Sequence, residues 1–149
     1  MERERDPHVR RAERMAARLV RRFDGDPALL RALADALDRR VRTAPLERLV
    51  ELWGLSGAEA ARFFGVSRQA FSQWLDDGPP VSRATAIAEL ATATDLLDCY
   101  LKRERIPAVV RREAPMLSGR SLIDMAREGL HREVREAVER MFDLRRVQP

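Results

Sequence analysis

The stretch LSGAEAARFFGVSRQAFSQWLDDG, residues 55–78, decides the fold. Ser56 and Glu59 have the Ser-x-x-Glu spacing of a capping box, in which each side chain satisfies a free backbone amide of the other residue. The spacing therefore predicts a short helix from Gly57, carrying Ala60, Ala61 and Phe64. Gly65 can take the left-handed conformation that closes a helix without steric cost. Ser67 then caps a second helix that starts at Arg68. Two short helices, a turn of about three residues and small alanines at the crossing describe a helix-turn-helix. Val66, Phe71, Trp74 and Leu75 are placed to fill the angle between the helices.

This packing leaves Arg68, Gln69, Ser72 and Gln73 on the outer face of the second helix. Arginine suits guanine O6 and N7, glutamine suits adenine N6 and N7, and each good bidentate pair discriminates by roughly 1–3 kcal/mol. Ser67 and the first free amides of the helix suit a phosphate. Ser67, Arg68, Gln69, Ser72 and Gln73 are thus the candidate residues for double-stranded DNA. The bland alternative is a solvated face, which Asp76 and Asp77 favour. Trp74 has helical spacing with Phe71 and reads as core rather than as a stacking platform.

Outward from this stretch every periodic segment is helical, which predicts an all-α protein. Val9, Ala12, Ala16, Leu19 and Phe23 form one stripe and Leu30, Leu33, Leu37 and Val41 another, with DGDP between them. These predict an N-terminal helical hairpin over residues 1–42. Pro45 is expected to open a separate helix, PLERLVELW, which leads into a helix-turn-helix unit over residues 43–81. Residues 82–149 form a small C-terminal helical domain. In it Ser82 should cap a long helix to about Arg105, in which Ile87, Leu90, Thr94, Leu97 and Leu101 make a heptad-like seam. That seam could meet a second copy or the N-terminal hairpin. Beyond it, a helix from Pro107 stops near Pro115, Ser121 caps LIDMARE, Gly129 breaks it, and a final helix carries Val134, Val138, Met141 and Phe142.

Composition narrows the function. A chain of 149 residues is too short for a large cleft between lobes. The net charge of +4 is unevenly spread: residues 1–42 carry +4, residues 43–81 carry −2 and residues 82–149 carry +2. The basicity is almost wholly arginine, so net charge carries little weight as a sign of nucleic-acid binding. The single cysteine, Cys99, allows no internal disulfide and no thiolate metal site, and is expected to be a small buried helix residue. His8 and His131 are isolated, and HREVRE lacks the His-Glu-x-x-His spacing of a zinc helix. Neither catalysis, metal nor cofactor is expected. The charged N-terminus has no apolar run after it and no segment reaches the roughly 20 apolar residues of a membrane span, so a cytoplasmic protein without membrane contact is expected.

Residues 55–78 resemble the helix-turn-helix of Xre-type and related bacterial regulators. Further along, APMLSGRS, LIDMAREG and HREVREAVERM follow one another in an order similar to the toxin-binding domain of Xre/MbcA/ParS-type antitoxins. That resemblance covers about residues 84–144. It departs from the family at Val109 and Val110, where a tryptophan is frequent, and at Leu122, where a proline usually follows the serine. The resemblance implies a RES-domain toxin, an NAD-consuming enzyme, as protein partner, and repression of the chain's own promoter. The candidate contact surface is the turn with Met116, Leu117, Gly119 and Arg120, the last helix, and the tail DLRRVQP with Arg145 and Arg146. Met116 and Leu117 can equally close the domain's own core. A free-standing regulator without a toxin, and an interaction protein that has lost DNA binding, are the other readings. One helix-turn-helix buries little DNA, so a homodimer reading two half-sites is expected.

Overall fold

A computed structural model describes residues 6–146, with side chains through Asp143. Among the described residues the fold is all-α: eight α-helices and three 3-10 turns, with no strand beyond the isolated bridge between Ala114 and Arg120. The chain divides into two compact units, residues 1–38 and 39–149. The helix-turn-helix and the C-terminal segment, expected as separate domains, lie together in the second unit and share one core.

In the first unit, α1 spans Pro7–Arg22 and is capped by Asp6, whose carboxylate accepts from the His8 amide at 2.8 Å. Asp24 and Gly25 turn the chain with positive φ, and Asp26 caps the next helix through the Ala28 amide at 2.9 Å. The expected order of helix, turn and helix is present, yet none of the described residues of this unit is buried.

The second helix, α2, runs Pro27–Trp53 with Pro45 inside it, so Pro45 does not open a new helix. Between residues 28 and 44 there is no glycine, asparagine or serine to stop the chain, and the proline forfeits a single intrahelical bond. The division between the units falls within α2. Its last turns bury Leu46, Leu49, Leu52 and Trp53.

Helices α3 (Gly57–Phe63) and α4 (Arg68–Asp77) follow, then α5 (Ala84–Tyr100), α6 (Ile106–Arg111), α7 (Leu122–Arg127) and α8 (His131–Arg146). The core is one continuous apolar cluster from Leu46 to Phe142. Helices α5 and α8 make its most extensive pair, so the seam of Ile87, Leu90, Thr94 and Leu97 is consumed inside the unit rather than left for a second copy or the N-terminal hairpin. Thr94 fits this apolar seam because both its hydroxyl roles are used. It accepts from the Trp53 indole N–H at 3.0 Å and donates to the Leu90 carbonyl at 2.7 Å. Across the same pair Arg135 of α8 bonds Glu89 of α5 and Glu139 of its own helix.

Three local expectations change. Ser82 sits inside a 3-10 turn, Val81–Arg83, that follows the extended Pro80, and α5 starts without a side-chain cap. α5 ends at Tyr100 rather than near Arg105, because Leu101 is extended. The break re-aims the chain so that Ile106 and Val110 of α6 reach the core. Cys99 is exposed, not buried.

Candidate nucleic-acid interface and the C-terminal turn

The helix-turn-helix forms as its local chemistry dictates. The Ser56 amide donates to Glu59 Oε2 at 2.8 Å and the Glu59 amide to Ser56 Oγ at 3.1 Å, completing the capping box. Gly65 has φ +63°, and the Val66 amide reaches back to the Ala61 carbonyl at 3.1 Å to close α3. Ser67 Oγ accepts from the Ala70 amide at 3.1 Å and starts α4.

Aromatic packing fixes the roll of α4. Phe71 is buried and lies parallel to Phe64 with centroids 6.1 Å apart, and Trp74 meets Phe64 edge-on at 5.7 Å. With Phe71, Trp74 and Leu75 turned inward, Arg68, Gln69, Ser72 and Gln73 stand at positions i, i+1, i+4 and i+5 on the outside. All four are exposed. Among the described residues none of the four side chains has a hydrogen-bond or ion-pair partner, which leaves their donors and acceptors available. The Ser67 hydroxyl is also exposed; it accepts as a cap and retains its own proton to donate.

Glu59 ties this unit to the C-terminal half. Beyond its capping bond it accepts from Arg111 Nη1 of α6 at 3.0 Å, and Arg127 lies 3.7 Å away. The Arg111 hydrogen bond, followed by the bond from the Ser56 amide, lowers its pKa from 4.5 to about 2. The other Arg111 nitrogen donates to the Gly54 carbonyl at 2.8 Å. Gly54 has φ +63°, which strains any other residue, and a Cβ there would sit 3.3 Å from Pro107, which would have to give way slightly. His131 adds a second tie: its Nε2–H donates to the Phe63 carbonyl, and its ring stacks on Phe64 at 5.6 Å. The acidic balance of residues 43–81 is thereby offset locally, because Glu59 faces two arginines from outside that segment.

Sequence reasoning missed Phe63, which is buried against Trp53, and Arg83, whose guanidinium lies 5.9 Å from the centre of the Trp74 ring. FF in the sequence could have signalled the first, since a helix end between two packed neighbours presents both faces to core. Arg83 carries no local signal.

The C-terminal turn is a compact loop. The Ala114 amide donates to the Arg120 carbonyl at 3.2 Å, the Gly119 amide returns to the Ala114 carbonyl at 3.1 Å, and Ser118 and Gly119 both have positive φ. Of the candidate partner residues, Met116 is 51% exposed and Gly119 is at the surface, whereas Leu117 is buried in the chain's own core. Arg120 is half-buried and bonded to Glu128 at 2.7 Å and to the Leu117 carbonyl at 3.3 Å. The side chains of Arg145 and Arg146 lie outside the described residues. Ser121 caps α7 in a second capping box, and its amide and hydroxyl hold the Asp124 carboxyl below the usual carboxylate range.

Beside Met116 lies a groove of about 290 Å³ whose walls include Leu101, Val109, Leu122, Met141 and Phe142. Its walls come from five separated segments, so no local pattern announces it. Among the described residues no group of three or more His, Cys, Asp or Glu side chains could hold a metal, and no helix is long and apolar enough to cross a membrane. Comparison with protein-family models, with curated proteins and with solved structures found no match to this chain.

Proposed function

We propose that this chain is a DNA-binding antitoxin that acts by binding rather than catalysis in the cytoplasm, neutralising a RES-domain toxin and repressing its own promoter. The observation that carries the DNA-binding part is the outer face of α4. Arg68, Gln69, Ser72 and Gln73 are exposed and unpaired on a helix whose other face is locked by Phe64, Phe71 and Trp74. A rigid helix with free bidentate side chains suits the major groove, with Ser67 and the first amides of α4 on a phosphate.

The toxin-binding part rests on the resemblance of residues 84–144, and the turn with Met116 and its apolar groove supplies a surface of suitable chemistry. One observation favours the second reading, a dimeric regulator without a toxin. Leu117 and Arg120 are engaged within the chain, so the turn offers fewer free contacts than the resemblance implies.

Co-expression of the tagged chain with the product of the neighbouring gene separates these readings. A stoichiometric complex with a RES-like protein supports the antitoxin. A chain that purifies alone and still shifts its own promoter supports the plain regulator.

A further inference from the structure

We infer that residues 7–38 are a self-association module, in which α1 and the first turns of α2 pair with the same helices of a second copy in a four-helix bundle. This extends the homodimer expected under the proposed function by naming its surface, and rests on that reading only for the number of copies.

The first unit has an apolar pattern without burial. Its stripe along α1 runs 3, 4, 3, 4 from Val9 to Phe23, and α2 continues with Leu30, Leu33 and Leu37. No described residue of the unit is buried, and Met15 and Leu37 remain 56% and 55% exposed. Both apolar faces are wider than a two-helix seam needs. Met15 and Val20 flank the α1 stripe, and Leu29 and Ala36 flank that of α2. A two-helix hairpin gives each helix one neighbour, whereas a four-helix bundle gives each two, which is the arrangement a wide face fits.

Charge selects a second copy as the occupant. Residues 7–22 carry six arginines and one glutamate, a net +5, while residues 23–38 carry four aspartates and one arginine, a net −3. In an antiparallel bundle whose two-fold axis runs along its length, every α1 lies beside two α2 segments, its own and the partner's, so each neighbouring pair has opposite sign, whereas an axis across the bundle would set the two cationic α1 helices side by side. A uniformly anionic lipid surface would attract α1 but repel residues 23–38. The other seam the sequence offers for a dimer, along α5, is closed by α8 within the same chain.

Sedimentation equilibrium of the full-length chain without DNA tests this. The expected mass is twice the 17.1 kDa of one chain. The double variant Leu19→Glu, Leu33→Glu should sediment as a monomer. Both tryptophans, Trp53 and Trp74, lie in residues 39–149, so an unchanged tryptophan-monitored urea midpoint at matched monomer concentration would show that the second unit is intact. The milder variant Leu33→Ala, Leu37→Ala should weaken association roughly tenfold or more without adding charge. A monomeric wild type, a double-Glu variant that stays dimeric, or a chain that associates only with vesicles containing phosphatidylserine would each overturn the inference. Failure to bind promoter DNA would bear on the proposed function and leave the mass unaffected.

Discussion

Glu59→Gln isolates the tie between the helix-turn-helix and the C-terminal half. The substitution keeps an acceptor for the Ser56 amide but removes the charge that Arg111 and Arg127 face. The fall of the Glu59 pKa from 4.5 to about 2 converts to about 3 kcal/mol at 1.36 kcal/mol per tenfold change in proton affinity. Solvent reaches 23% of the Glu59 side chain and 42% of Arg111, and screening reduces the expected loss to about 2 kcal/mol. The sign follows from the direction of the shift. The folded state binds the Glu59 proton more weakly than the unfolded state, so the stabilisation is fully present above about pH 4.5 and disappears as pH falls toward 2. Urea unfolding of wild type and variant, followed by tryptophan fluorescence at several values between pH 6 and pH 3, reads the difference. Differencing removes Asp98 and Asp124, whose pKa values are also lowered. A stability gap that is absent at pH 6, or that stays constant as the pH falls, would refute the reasoning.

Phe71→Ala removes a side chain 1% exposed at the centre of the aromatic contacts and should cost about 3–5 kcal/mol in urea unfolding; Arg68→Ala on the opposite face should stay within about 0.5 kcal/mol. Thr94→Val leaves the buried Trp53 indole N–H without its acceptor and should cost about 1–3 kcal/mol, with a smaller further loss when Trp53→Phe is added than in the Trp53→Phe single variant. Gly54→Ala places a Cβ at positive φ and 3.3 Å from Pro107, and a loss of about 1–2 kcal/mol is expected by the same assay.

The elements that could be read from sequence are those whose cause is local. Ser56, Ser67 and Ser121 act as caps as their spacing requires, since each bonds an amide three residues on. Gly65 and the apolar faces of α3 and α4 follow from the same few residues. What escaped depends on residues far apart in the chain. Pro45 lies inside α2 because nothing nearby stops the helix, and α5 ends at Tyr100 because Ile106 and Val110 must reach the core. The seam of α5 was visible as a stripe, but a stripe does not name its partner, and that partner is α8, about 45 residues away in sequence. The outer face of α4 was legible from spacing alone. The C-terminal turn was legible as a turn, but not that Leu117 faces inward or that Arg120 is held by Glu128.

The most direct test of the proposed DNA-reading face is fluorescence anisotropy of the chain on its own promoter and on a scrambled duplex, at two salt concentrations, for wild type and for Arg68→Ala and Gln69→Ala. The account predicts a wild type that prefers the promoter and weakens with salt as phosphate contacts release counterions. Each variant should keep its thermal stability and lose about 1–3 kcal/mol of preference for the promoter. Equal affinity for both duplexes, or variants indistinguishable from wild type, would contradict it.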